Sequence, residues 1–213
     1  MTAYLADVAT LARKDLRLEL RARNTVPAML LFVVAALVIF HFALPADSSK
    51  LAAKGLLWVA IVFTALLGLT RAFVAEREQR LIDGLLLAPC DRSAIWLAKS
   101  VSVLGFLVAA ELVALPAFAL FFSGIDGATI AGIALADVGI CAVGTVLAAM
   151  AVAGRARELL LPLLFLPLAI PVIVGGVGAS VTDHPARYLG FLALYDTVFA
   201  IISWASFEYV VTE

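Results

Sequence analysis

The sequence predicts an all-α integral membrane protein with six transmembrane helices behind an amphipathic N-terminal arm, and three observations carry that prediction. Hydrophobic residues make up 64% of the chain and charged residues only 15%, against roughly half and about a quarter in soluble domains. The apolar residues gather into six runs, each close to the ~20 residues a helix needs to cross the hydrocarbon core. The lysines and arginines gather in alternate connections between those runs. A transmembrane barrel would instead show short alternating segments, whereas these runs are apolar throughout. The net charge of −1 argues against a nucleic-acid partner, which requires a basic surface.

Residues 1–26 read as a cytoplasmic arm. Leu5, Val8, Ala9, Ala12, Leu16 and Leu20 fall within about a third of a helical wheel, and Lys14, Arg17 and Arg21 lie on the other side. The arm is therefore expected to lie along the inner membrane surface, with Glu19 on the edge of its apolar face. It lacks an early apolar h-region and a small-residue cleavage site, so it does not read as a removable signal peptide, and the first span is expected to stay in the mature protein.

The remaining residues, 27–213, read as one transmembrane domain with spans at 27–44, 55–73, 97–122, 128–153, 159–179 and 189–211. Arg13, Lys14, Arg17, Arg21 and Arg23 precede the first span. Arg71, Arg77, Arg80, Arg92 and Lys99 surround the second connection, and Arg155 and Arg157 fill the fourth. Only Lys50, Lys54 and Arg187 fall elsewhere. By the positive-inside rule both termini are expected in the cytoplasm. The fifth span carries Pro162, Pro167 and Pro171, then Gly175, Gly176 and Gly178, which predicts a kinked or broken helix covered by neighbouring protein. The glycines lie in an apolar run without a following lysine and read as packing residues.

The second cytoplasmic connection is the most informative stretch. Glu76 and Arg80 are four apart, which supports a short surface helix; Gly84 can end it, Pro89 marks a turn, and Asp91 or Ser93 can cap the third span. A charged helix held between two spans suits the docking of a cytoplasmic partner; a plain solvated loop is the alternative.

This loop, the arm segment Lys14-Asp15-Leu16-Arg17-Leu18-Glu19-Leu20-Arg21 and the run Leu166-Pro167-Leu168-Ala169-Ile170-Pro171-Val172-Ile173 together resemble the CcmB family. That family is the membrane subunit of the cytochrome c maturation ABC transporter, often called the haem exporter, and the similarity covers nearly the whole chain. The resemblance implies an ABC-2 type permease in the bacterial inner membrane, with an elbow helix before the first span and a coupling helix in the first cytoplasmic loop. Glu76, Arg77, Glu78, Arg80 and Asp83 would then contact a separate, CcmA-like ATPase. The chain agrees that ATP must be held elsewhere, because it has no Gly-x-x-x-x-Gly-Lys-Ser/Thr loop. The further partners implied are CcmC-like and CcmD-like membrane subunits and a CcmE-like haem chaperone. A second copy of the chain is the default way to complete a half-size bundle.

Two carboxylates fall inside the spans. Glu111 is expected about 16 Å from the outer end of the third span and Asp137 about 14 Å into the fourth, at about 1.5 Å per residue, so both could lie at similar depth. Ionisable groups in lipid are costly and face the bundle interior, where they serve either a transport path or subunit interface, or helix packing. Asp196, placed nearer the outer end of the sixth span, could reach the outer interface and is less informative. His41 and His184 fall on the outer side and are weak candidates for haem ligation. No directly bound cofactor is expected, haem being a candidate cargo. Cys90 and Cys141 read as free structural thiols. No catalytic grouping or metal cluster stands out, so the chain reads as a permease subunit and not an enzyme. A permease for a lipid, drug or glycan and a membrane scaffold without a transport path are the alternative readings.

Overall fold

The computed structural model describes residues 2–23, 25–45, 50–73, 90–122, 124–153 and 157–212. The described residues form helices and no strands: α1 (Thr2–Ala22), α2 (Thr25–Ala43), α3 (Lys50–Arg71), α4 (Arg92–Phe121), α5 (Gly127–Ala153), α6 (Arg157–Val181) and α7 (Pro185–Thr212). All but α1 are long and apolar enough to cross a membrane. Leu31, Phe42, Leu120, Leu163 and Leu194 stand exposed on their outer faces, as expected where the surrounding solvent is lipid.

Burial follows the sequence of each helix. In α2 only Thr25, Met29, Val33 and Leu37 are buried, a stripe of period four that faces α3 and α4. α3 is buried nearly all round, with Leu57, Trp58, Ala60, Ile61, Val62, Ala65 and Leu69 inside. α5 is the central helix, packed against α3, α4, α6 and α7. Its Ala136, Gly139, Ala142, Gly144 and Ala148 keep that contact close, which matters because membrane helices associate through packing between small residues.

Of the kink or break expected at Pro162, Pro167 and Pro171, the break does not occur: α6 is one helix through all three. Neighbouring helices stabilise a proline-containing membrane helix by covering and hydrogen-bonding its loosened backbone. Here the Tyr195 hydroxyl of α7 donates to the Leu168 carbonyl at 2.7 Å, beside the carbonyl that Pro171 leaves without an N–H partner. The glycines of α6 pack as expected. A Cβ on Gly176 would collide with the Trp58 indole, and Trp58 in turn donates from Nε1 to Ser180 Oγ at 3.0 Å.

α1 is helical, and its packed face is rotated from the one its apolar pattern predicts. Val8 and Ala12 are buried against Ala94 and Ala98 of α4, with Tyr4 and Leu11 alongside, while Leu5 and Ala9 are exposed. The helix thus has three sides: one on α4, an apolar one carrying Leu5 and Ala9, and a charged one carrying Arg13 and Arg17. Glu19 caps the next helix instead of interrupting an apolar face. Its carboxylate accepts from Thr25 N at 2.5 Å, Thr25 Oγ1 at 2.7 Å and Val26 N at 3.3 Å, an anion at a helix N-terminus. Arg23, at φ 53°, makes the turn between α1 and α2 and donates its N–H to Glu19 O at 2.7 Å.

Candidate functional site

Three groups of buried polar side chains sit at different heights in the bundle. The lowest is at the α1 end. Lys99 Nζ of α4 lies 2.9 Å from Asp15 Oδ2 of α1, the two side chains being 5% and 8% exposed. The same ammonium donates to the Ala72 carbonyl at 2.9 Å and stands 5.0 Å from the centre of the Phe73 ring. Asp15 also meets Lys14 at 3.1 Å. One lysine therefore joins the arm, the third span and the last turn after α3, from which the chain enters the loop expected to couple to an ATPase. Position in sequence marked Lys99 only as a positive-inside charge.

That loop supplies Glu76, Arg77, Glu78, Arg80 and Asp83, and all five lie outside the described residues. Beyond it, Asp91 caps α4: its Oδ1 accepts from Ser93 N at 2.9 Å and from Ser93 Oγ at 2.8 Å. Ser93 Oγ in turn meets the Tyr4 hydroxyl of α1 at 3.1 Å.

At the opposite end, Lys54 of α3 reaches Asp126 Oδ2 at 2.6 Å and hydrogen-bonds the Ser180 carbonyl of α6. Asp126 caps α5 by accepting from Thr129 N at 2.7 Å. Partial burial alone would raise the Asp126 carboxyl, but the hydrogen bonds from Lys54 and Thr129 outweigh it and bring its pKa down to about 2.

Between these ends lie the intramembrane carboxyls. Glu111 is 7% exposed and Asp137 2% exposed; their carboxyls hydrogen-bond each other across the α4–α5 contact. The structure adds Asp196 of α7, 6% exposed and close enough to Asp137 for their charges to interact. Gly139 admits it, since a Cβ there would collide with Asp196 Oδ1. The expectation that Asp196 could reach the outer interface came from starting the sixth span at residue 189. α7 starts at Pro185, which puts Asp196 about 16 Å from that helix end, a depth close to the ~15 Å of Glu111 and Asp137 in their own helices. Glu111 also borders a crevice lined by Val33, Ile61, Thr64, Leu107, Ala110 and Ala114, which has no room for a water molecule.

The histidines stand apart from these groups. His41 is exposed and packs against the rings of Phe42, Phe121 and Phe122 at 5.2–5.8 Å. His184 is exposed in the turn before α7. Among the described residues no group of three or more His, Cys, Asp and Glu side chains is arranged to hold a metal ion. Cys141 is buried, Cys90 is partly exposed, and both are free thiols.

Comparison with known proteins places this architecture. The chain is 31% identical to "Heme exporter protein B" of Bradyrhizobium diazoefficiens, over 81% of this chain and 80% of that protein. It is 30% identical to the protein of the same name in Rhodobacter capsulatus, over 78% of each. For that of Paracoccus denitrificans the identity is 31%, over 84% of this chain and 87% of the relative. The family model described as "CcmB protein" matches residues 6–206, from the arm into the sixth span. A multi-pass helical membrane protein with this arm and this match along nearly its whole length belongs to the CcmB family.

Proposed function

We propose that this chain is the membrane permease subunit of an ATP-driven ABC complex acting in haem export or haem-chaperone release for c-type cytochrome biogenesis. The observation that carries the reading is the match across residues 6–206, with relatives named as haem exporter subunits. The chain sits in the bacterial inner membrane with both termini in the cytoplasm, as the positive-inside rule requires of its basic connections. ATP hydrolysis belongs to a CcmA-like subunit that docks on Glu76, Arg77, Glu78, Arg80 and Asp83. No resident cofactor is assigned, haem being a candidate cargo, and CcmC-like, CcmD-like and CcmE-like proteins complete the pathway. The Lys99 junction supports this arrangement: it ties the arm and α4 to the chain where it leaves α3, so force applied at the loop reaches the bundle as a rigid-body change.

The test is to tag the C-terminus, solubilise native membranes in mild detergent and identify copurifying proteins by mass spectrometry. Wild type is compared with Glu76→Lys combined with Glu78→Lys. The reading expects an ATPase and other cytochrome c maturation subunits with wild type, and loss of the ATPase alone from the variant. An unrelated ATPase would overturn the haem assignment, and no ATPase at all would favour a scaffold.

A further inference from the structure

We propose that Glu111, Asp137 and Asp196 form one proton-binding site inside the bilayer, shared by α4, α5 and α7. The inference goes beyond the haem-export reading and does not rest on it.

A hydrogen bond between two carboxyl groups needs a proton between their oxygens, so the Glu111–Asp137 contact exists only while at least one of the two is the neutral acid. A second, separate observation comes from the third helix. Asp196 is 94% buried by its 6% exposure, and neither of its carboxyl oxygens has a hydrogen-bond partner. One oxygen of Glu111 and one of Asp137 are also buried without a partner. Leaving such groups ionised and unpaired in a dry, apolar interior is strongly unfavourable.

The ligand follows from the arrangement. Asp137 is the shared member, hydrogen-bonded to Glu111 and close enough to Asp196 for their charges to interact. Among the described residues no three such donors surround a common point as metal ligands do. A row of carboxyls, each oxygen able to take one hydrogen, suits protons. Among the described residues no basic side chain pairs with the row. α6 carries no ionisable residue between Leu159 and Val181, and α3 none between Gly55 and Thr70. In α2 the span residues 27–43 contain only His41, at the far end. Lys99 of α4 lies twelve residues, about 18 Å, from Glu111 and pairs with Asp15 of α1. The other titratable groups at the site are neutral ones, Cys141 of α5 beside Asp137 and Glu111, and Tyr195 of α7 beside Asp196. Tyr195 already donates its proton to Leu168 O.

Uptake forms one O–H bond on a carboxylate and breaks none within the protein; the proton comes from bulk water and returns there. Occupied, the site lets three helices pack around neutral acids. Emptied, it leaves like charges at the centre of the bundle and favours a state in which water reaches them.

The test uses the whole purified chain in lipid nanodiscs and infrared spectroscopy of the protonated-carboxyl carbonyl band as pH is raised from mildly acidic to mildly alkaline. The band is expected to fall with rising pH. Asp196→Asn should remove one component, and Glu111→Gln with Asp137→Asn the remainder of the pH-dependent signal. Sodium added at constant pH and ionic strength should leave the band unchanged. A wild-type band that does not respond to pH overturns the proposal without any variant having to fold. So does a response that all three substitutions leave intact, or one that follows sodium instead of protons.

Discussion

Removing one partner of the Asp15–Lys99 pair should destabilise the protein far more than removing both. The two charges meet at 2.9 Å with 8% and 5% exposure, so solvent screens them little. Breaking a buried pair by deleting one side costs about 3–5 kcal/mol, because the survivor is left buried and unpaired. Lys99→Met leaves Asp15 with Lys14, whose side chain is 35% exposed, so this variant belongs at the low end, about 3 kcal/mol. Asp15→Leu leaves Lys99 with the Ala72 carbonyl and the Phe73 ring and belongs in the same range. The double variant places two apolar side chains between α1 and α4 and should lie within about 1 kcal/mol of wild type, far from the ~6 kcal/mol sum of the singles. At ~1.4 kcal/mol per tenfold, each single variant raises the unfolded fraction roughly a hundredfold. Denaturant titration of the purified protein in one detergent measures all three. Additivity within about 0.5 kcal/mol would refute the pairing as an energetic link between the arm and the third span.

Three further predictions address the other contacts. The Asp126 carboxyl lies at about 2 in the folded protein against a usual 3.8, so its contribution is present above about pH 4 and is lost as pH falls toward 2. Thermal melting across that window should show this loss in wild type, and Asp126→Asn should lower stability at neutral pH while flattening the dependence. Gly176→Ala pushes a methyl into the fully buried Trp58 ring and should cost about 1–3 kcal/mol, read by melting together with a shift in tryptophan fluorescence. Ala98→Leu fills the tight contact with Val8 and Ala12, so it should lift α1 from α4 and make the arm more sensitive to limited proteolysis; unchanged protection would place the arm's anchorage elsewhere.

What could be read from the sequence followed from solvent and local chemistry. Runs of apolar residues near 20 long must become helices in lipid because the backbone has no other way to satisfy its polar groups there, and that yields the six spans regardless of how they pack. Helix ends marked by a side chain were readable too, as with Asp91 before α4. The sixth span was started at residue 189, whereas α7 starts at Pro185, and counted from that helix end Asp196 lies about as far in as Glu111 and Asp137 in their own helices. Val8 and Ala12 belong to the apolar face expected for α1, and the rotation of its packed side away from Leu5 and Ala9 went unread for a different reason. A hydrophobic wheel finds one apolar face, and α1 carries apolar residues on two sides, one packed on α4 and one exposed with Leu5 and Ala9.

The sequence by itself therefore determined how many times the chain crosses the membrane, the helical class and the family resemblance, since each depends on composition and order along the chain. Tertiary structure alone decided that Lys99 faces Asp15, that Lys54 closes on Asp126 and Ser180, and that Asp137 of α5 bonds Glu111 of α4 within charge-interaction range of Asp196 of α7. Each of these depends on how neighbouring helices are rotated and staggered. Those angles are set by the fit of small residues such as Gly139 and Gly176 against specific partners, a property of pairs of helices that no single segment carries.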